Sequence, residues 1–383
     1  MNFFSSRSPA CALRVASVLL ALVLSPLLSR AAGVGLQPFN VDISQTSVSG
    51  LSSGGYMAVQ LEVAYSSIVK GVGVIAAGPY FCAQGRTDIA TTVCSCTALL
   101  PTLCKAGSNA RDVPALIKIT DQYALDGKIE TTSSLASHKI FLFSGIRDTK
   151  VPRRVMNDLE TYYKNYTNGA NIRYVKNRRA GHGMPTDSFG NASCAAEQDP
   201  FINKCGYAAA GELLKWIYGS LNPRNMRNLD ETNFVQFDQT EFDALASGMD
   251  TTGWLYVPAQ CRNGEPCKLH VVFHGCRQSQ NFSPIAFGFG PIGPLYGTTF
   301  VKNAGYNEWA DNNNIIVLYP QALASFVNAK NPSKPNPLGC WDWWGYDDDL
   351  FATSPQKLSY ATKAGSQIAA VKKMIDRIAG GHR

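Results

Sequence analysis

Gly50-Leu51-Ser52-Ser53-Gly54 is the stretch of this chain whose residue types and spacing point most directly to chemistry. It fits G-x-S-x-G, follows the strand-like run Ser47–Gly50, and opens into a helical pattern, Tyr56-Met57-Ala58-Val59-Gln60-Leu61. A serine on such a strand–turn–helix elbow is held in a strained turn, where side chains at the flanking glycine positions would collide with it. By spacing Ser52 is the nucleophile, and the backbone N–H of Ser53 is one donor for an oxyanion. The plain alternative is a Gly/Ser-rich loop without chemistry. The strand before and the helix after weigh against it.

A serine nucleophile needs a base, and the base needs an orienting carboxylate. The chain has five histidines. His382 stands near the last residue, His138 opens a strand, and His270 lies inside the apolar strand that leads to His274, where burial is its expected role. His182 differs, because it sits on the flexible stretch Arg179–Met184 after the strand-like Ile172–Val175. Asp148 follows another strand-like run, Lys139–Phe143, and a carboxylate at the carboxyl end of a sheet strand reaches the same crevice as the elbow. Asp187 competes for the role, but five loop residues do not readily fold back to hold an imidazole, so it reads as a cap or turn residue. The order Ser52, Asp148, His182 is the order used by α/β-hydrolases.

Strand-like runs also cover Val72–Ala76, Trp254–Val257, Leu269–Phe273 and Ile315–Tyr319. They alternate with helical patterns at Gly55–Tyr65, Asp112–Leu125, Pro152–Lys164, Ala208–Tyr218 and Ala361–Ile378, which predicts a mostly parallel sheet flanked by helices. The last helix carries Ile368, Val371, Met374, Ile375 and Ile378 on one face and is expected to pack on the sheet. The polar stretch Asn222–Glu231 reads as a link between two halves, a nucleophile half to about 221 and a second from about 232.

One element is out of the usual order. A loop donating the second oxyanion N–H ordinarily follows an early strand, yet the matching segment Leu269–Cys276 comes after the histidine. The strand carrying Ser52 has no sheet ahead of it, and Ala361–Ile378 has no strand behind it. Joining the two ends restores the common order, so the expectation is a circularly permuted α/β-hydrolase fold.

Composition sets the surroundings. Of 383 residues, 45% are hydrophobic and 16% charged, which calls for a substantial core and little disorder. Arg7 and Arg14, the apolar run Val15–Leu28 and the small residues Ala31-Ala32 read as a signal peptide over residues 1–32. The apolar run is shorter than the roughly 20 residues of a membrane span, and Pro26 interrupts it. The formal charge of +7 includes Arg7, Arg14 and Arg30, and the remainder is too diffuse to argue for nucleic acid. Cys11 lies in the leader, leaving ten of eleven cysteines, an even number that argues for disulfides in an oxidising compartment. Cys194/Cys205 and Cys261/Cys267 cluster locally, as do Cys82, Cys94, Cys96 and Cys104, whose pairing is open; Cys276 and Cys340 remain. Zinc at Cys94-Ser95-Cys96 is disfavoured by its spacing and the absence of a nearby histidine. Residues 33–383 are expected to form one secreted catalytic domain, with no metal, cofactor, nucleic-acid, membrane or obligate protein partner.

The chain resembles the polyhydroxybutyrate depolymerase/feruloyl-esterase-like group, most closely its single-domain, circularly permuted fungal depolymerase type. The resemblance runs through Ser49–Met57 (SGLSSGGYM), Ala77–Cys82 (AGPYFC), Ala208–Leu221, Met249–Val257 (MDTTGWLYV) and Phe273–Ser279 (FHGCRQS). It continues through Gly305–Ala310 (GYNEWA), Leu318–Ala322 (LYPQA) and Gly339–Trp343 (GCWDW). It implies the same triad, an oxyanion hole built from the N–H groups of Ser53 and Cys276, a Cys276–Cys340 disulfide, and Trp341 lining the substrate crevice. The implied reaction is hydrolysis of poly(3-hydroxybutyrate) or related esters through an acyl-enzyme. A feruloyl or acetyl-xylan esterase and a catalytically silent polymer- or glycan-binding protein are the rival readings. The extra cysteine pair that Cys94-Ser95-Cys96 and Cys104 give their loop, Arg178-Arg179 and the Gly/Pro/Phe-rich Asn281–Phe300 depart from the family pattern.

Overall fold

The computed structural model describes residues 33–106, 112–286, 290–328, 332–348 and 354–380; the expected leader and His382 lie outside them. The main sheet begins with four parallel strands, β1 (Thr46–Leu51), β2 (Val69–Ile75), β3 (Lys139–Phe143) and β4 (Ile172–Val175). Two short strands, β5 (Met184–Thr186) and β6 (Ile202–Lys204), pair separately. The chain then returns through β7 (Phe234–Asp238), β8 (Thr252–Tyr256) and β9 (Lys268–Phe273). A small hairpin of β10 (Ile285–Ala286) and β11 (Gly290–Pro291) precedes β12 (Ile315–Tyr319). The eight-stranded order is β4-β3-β2-β1-β9-β12-β8-β7, with β8 antiparallel to both its neighbours.

Central strands buried on both faces should be nearly all apolar. In β3 the side chains alternate between two cores: Ile140 and Leu142 join one, Phe141 and Phe143 the other. The first core is closed by α1 (Ser53–Ala64) and by later helices described below; Met57 and Leu61 supply α1's share. After α2 (Thr87–Thr92) come α3 (Val113–Leu125) and α4 (Arg153–Lys164), which also pack there, through Tyr123 and Leu159. The second core is closed by α5 (Ala209–Tyr218) through Leu213, Leu214 and Ile217. The short helices α6 (Ala259–Arg262), α7 (Thr299–Asn303) and α8 (Asn307–Asp311) precede α9 (Ser366–Ile378), whose Ile368, Val371 and Ile375 return to the first core.

Beside β1 lie β2, its neighbour in sequence, and β9, reached more than two hundred residues later, in the register Ser47↔His270 to Gly50↔Phe273. The first and last described segments meet: the Phe39 N–H donates to the Ile378 carbonyl at 2.8 Å, and Arg377 reaches the Leu36 carbonyl. That adjacency is what a permuted α/β-hydrolase chain requires.

Two expectations change. The C-terminal helix starts at Ser366, not Ala361, because Ser359–Gly365 is occupied by turns and a Cβ on Gly365 would stand 2.5 Å from the Tyr360 carbonyl oxygen. The edge strand β7 was not expected from the sequence, since Phe234-Val235-Gln236-Phe237-Asp238 mixes polar and apolar residues after a polar link.

Candidate active site

Ser52 stands between β1 and α1 with φ 57° and ψ −121°, a left-handed strained position for a residue with a side chain. Two glycines permit it. A Cβ on Gly50 would lie 2.2 Å from the Gly54 carbonyl oxygen, and one on Gly54 would lie 2.3 Å from the Phe273 carbonyl oxygen and 2.4 Å from that of His274. The elbow is therefore pressed directly against the end of β9. The first helical hydrogen bond runs from Tyr56 N–H to the Ser52 carbonyl, so the Ser53 N–H has no intrahelical acceptor and lies at the positive end of α1.

Beside it runs the loop after β9. Its Gly275 N–H donates to Gln278 Oε1 at 2.7 Å, its Arg277 N–H to the Leu338 carbonyl, and among the described residues the Cys276 N–H between them has no acceptor. Gln278 Nε2 in turn donates to the Pro200 carbonyl at 3.0 Å, tying this loop to the segment before β6. Burial drives the pKa of His274 down to about 4, so the ring is neutral. Its Nδ1 faces the Gly275 carbonyl and its Nε2 accepts from Ala322 N–H, which fixes the proton on Nδ1. Cys276 is bonded to Cys340, holding this loop to the segment that follows.

Asp148 and His182 come from the ends of neighbouring strands. The loop after β3 donates from Ile146 N–H to the Arg178 carbonyl and from Arg147 N–H to the Ala180 carbonyl, 2.8 and 2.9 Å. Gly145 allows the approach, for its Cβ would be 2.1 Å from the Ala180 carbonyl oxygen. Asp148 Oδ1 accepts from the N–H groups of Lys150 and Val151, which leaves Oδ2 facing His182 Nδ1 at 2.9 Å. His182 is only 7% exposed and lies edge-on to Phe201. Burial alone would push its pKa down; the charge and hydrogen bond of Asp148, with Glu197, outweigh that, and the pKa is raised above its ordinary 6.5. With Nδ1–H committed to Asp148, the neutral ring keeps Nε2 free to accept a proton.

The rival carboxylate, Asp187, is engaged elsewhere. It pairs with Arg224 at 2.6 Å, and that hydrogen bond lowers its pKa. Trp341 departs from its expected place. It is fully buried, packed against Phe273 and His274 with ring centroids 4.9 and 5.2 Å away, so it supports the loop after β9 from within and presents no wall to a crevice. Trp343 stacks on Tyr56 at 4.0 Å, leaving Trp344 as the half-buried member of that aromatic run. The cysteines left open pair as Cys82–Cys94 and Cys96–Cys104; Cys194–Cys205 and Cys261–Cys267 complete five disulfides. Glu197, Gln278 and the fixing of His274 were not foreseen, because groups acting through contacts with the backbone of distant loops leave no spacing pattern.

No protein-family model matches the chain. It is 41% identical over 373 residues to a poly(3-hydroxybutyrate) depolymerase of Delftia acidovorans, covering 96% of this chain and 66% of that relative. It thus spans slightly less than two thirds of the Delftia protein. It is 38% identical over 362 residues to a polyhydroxybutyrate depolymerase of Talaromyces funiculosus, covering 92% of this chain and 95% of the relative. Among solved structures it is similar to a PHB depolymerase from Penicillium funiculosum and to a serine-to-alanine PHB depolymerase complexed with an R3HB trimer. Each has a TM-score of 0.76 and 36% identity, over 91% of this chain and all of the other.

Proposed function

The chain belongs to the polyhydroxybutyrate depolymerases, and from that premise we propose that it is a secreted serine esterase hydrolysing poly(3-hydroxybutyrate) or a related short-chain polyhydroxyalkanoate. The products are hydroxy-acid monomers or oligomers. Support within the chain comes above all from the strained Ser52 elbow, which follows the carboxyl end of β1 as the 2.9 Å Asp148–His182 pair follows those of the parallel strands β3 and β4.

The reaction follows from those groups. His182 Nε2 takes the proton of the Ser52 hydroxyl as its oxygen attacks the ester carbonyl. The N–H groups of Ser53 and Cys276, both without acceptors among the described residues, hold the oxyanion; one such donor contributes about 3 kcal/mol to the transition state. His182 then gives its proton to the departing hydroxyl, and the acyl group stays on Ser52. Water, deprotonated by the same nitrogen, releases the hydroxy acid. Asp148 keeps the ring in one tautomer throughout and stabilises the imidazolium.

Secretion is supported by ten cysteines joined in five disulfides, which an oxidising compartment maintains. Residues 1–32 act as the export leader and residues 33–383 as one catalytic domain, released outside the cell or into a periplasm. Among the described residues no helix is long and apolar enough to cross a membrane. A clearing assay on suspended poly(3-hydroxybutyrate) tests the reading. The mature protein is expected to clear it, and Ser52→Ala to abolish clearing while keeping the native circular dichroism spectrum. A wild-type protein that leaves the polymer intact but cleaves feruloyl or acetyl-xylan esters would overturn the assigned substrate.

A further inference from the structure

Glu197 lies on the loop between β5 and β6, outside every motif considered above. Its Oε1 accepts from the Thr149 N–H at 2.6 Å and from the His182 N–H at 3.2 Å, and its Oε2 accepts from the Thr149 hydroxyl at 2.5 Å. One carboxylate therefore grips the residue after Asp148 and the backbone of His182 together. Its own loop is built to stay in place. Asn203, fully buried, donates from Nδ2 to the carbonyls of Cys194 and Ala196; Gly181 N–H donates to the Cys194 carbonyl; and Cys194 is bonded to Cys205. A side chain on Gly181 would strike the Ala195 and Ala196 carbonyls, so the histidine loop sits flat against this support.

We propose that Glu197 is a positioning residue of the esterase reaction: its carboxylate clasps the acid loop to the histidine loop and adds a second negative charge beside the imidazole. The inference rests on His182 being the base. The charged groups acting on that ring are Asp148 and Glu197, which favour the imidazolium, and Lys150, which opposes it. Beyond Phe201, Arg277 is paired with Asp199. Glu197 thus does two things with one group: it fixes where the ring is and holds its pKa up, so that the imidazolium formed during attack is stabilised.

The test is the pH profile of kcat/KM on p-nitrophenyl butyrate for the full mature chain, whose acid limb reports the free-enzyme base. Glu197→Gln keeps the size of the side chain and removes its charge. Its acid limb is expected to move down by about 0.5 pH unit, with plateau kcat reduced several-fold and KM little changed. Glu197→Asp, which keeps the charge, is expected to hold the limb at the wild-type position. Thr149→Val, which removes the hydroxyl donor to Oε2 and loosens the carboxylate, should move the limb in the same direction by less, and decides the matter if Glu197→Gln does not fold. A limb unmoved in Glu197→Gln, or in Thr149→Val where that variant decides, overturns the inference. A wild-type profile with no acid limb would instead overturn the assignment of His182 itself.

Discussion

Asp148 shows how much of a site one carboxylate can settle. Its Oδ1 is spent on two backbone N–H groups, so Oδ2 has one direction to face, and His182 is there. Asp148→Asn retains the backbone cap but places an amide against Nδ1, favouring the wrong tautomer. Turnover is expected to fall about 10⁴-fold. Asp187→Asn, which only breaks the pair with Arg224, should remain near wild type; the reverse ranking in steady-state kinetics would reject the assignment. The sign of the pH effect follows from the same contact. The His182 pKa is raised, so the base is neutral only above that raised value, and kcat/KM should climb through an acid limb above 6.5. The stability this pair contributes is fully present below the unfolded pKa and is lost as pH rises through the folded one. Ser52, Asp148 and His182 could be singled out from the sequence because each follows a strand, in an order that α/β-hydrolases use. Glu197 was not, since nothing in Ala195-Ala196-Glu197-Gln198 marks a carboxylate that accepts from a backbone N–H fifteen residues earlier. Trp341 misled for the opposite reason: an aromatic beside a site residue reads the same from sequence whether it lines a crevice or fills the space beneath it.

At the scale of elements, the decisive contact is between the first turn of α1 and the end of β9. Gly54 lies where any Cβ would meet the carbonyls of Phe273 and His274. Alanine ordinarily stabilises a helix interior relative to glycine by about 1 kcal/mol. Here the sign should reverse, because Gly54→Ala must push β9 and the Cys276 loop away from Ser52. A loss of about 1–3 kcal/mol in denaturant unfolding is expected, together with a fall in kcat larger than any change in KM. A variant as stable and as active as wild type would show that the placement of the Ser53 and Cys276 N–H groups does not depend on this approach. Strands with apolar residues on both faces, such as β3 and β12, were readable to the residue. The polar edge strand β7 was not, and the start of α9 was misplaced because Ala361 to Ala364 carry helix-compatible residues whose turns are set by tertiary contacts.

Taken whole, the molecule is one sheet assembled from two halves of the chain around the seam between β1 and β9. The first carries Ser52, Asp148 and His182, the second the Cys276 loop. The Phe39 N–H, donating to the Ile378 carbonyl, brings the first and last described segments of these halves together. The order of the two halves was legible from the late position of Leu269–Cys276, the Ser52 strand with no sheet ahead of it and the last helix with no strand behind it, whereas the pairing of four of the cysteines required the fold. The Cys276–Cys340 bridge spans 64 residues within the second half and fixes the donor loop to the buried Trp341 segment. The central claim is that this assembly cuts polyester through an acyl group on Ser52. Mass spectrometry of the mature protein, acid-quenched during turnover of a 3-hydroxybutyrate oligomer and digested, tests it most directly. The account predicts a single hydroxybutyryl or oligohydroxybutyryl adduct on the peptide carrying Ser52, absent in Ser52→Ala. An adduct on any other residue, or hydrolysis that persists in Ser52→Ala, would contradict it.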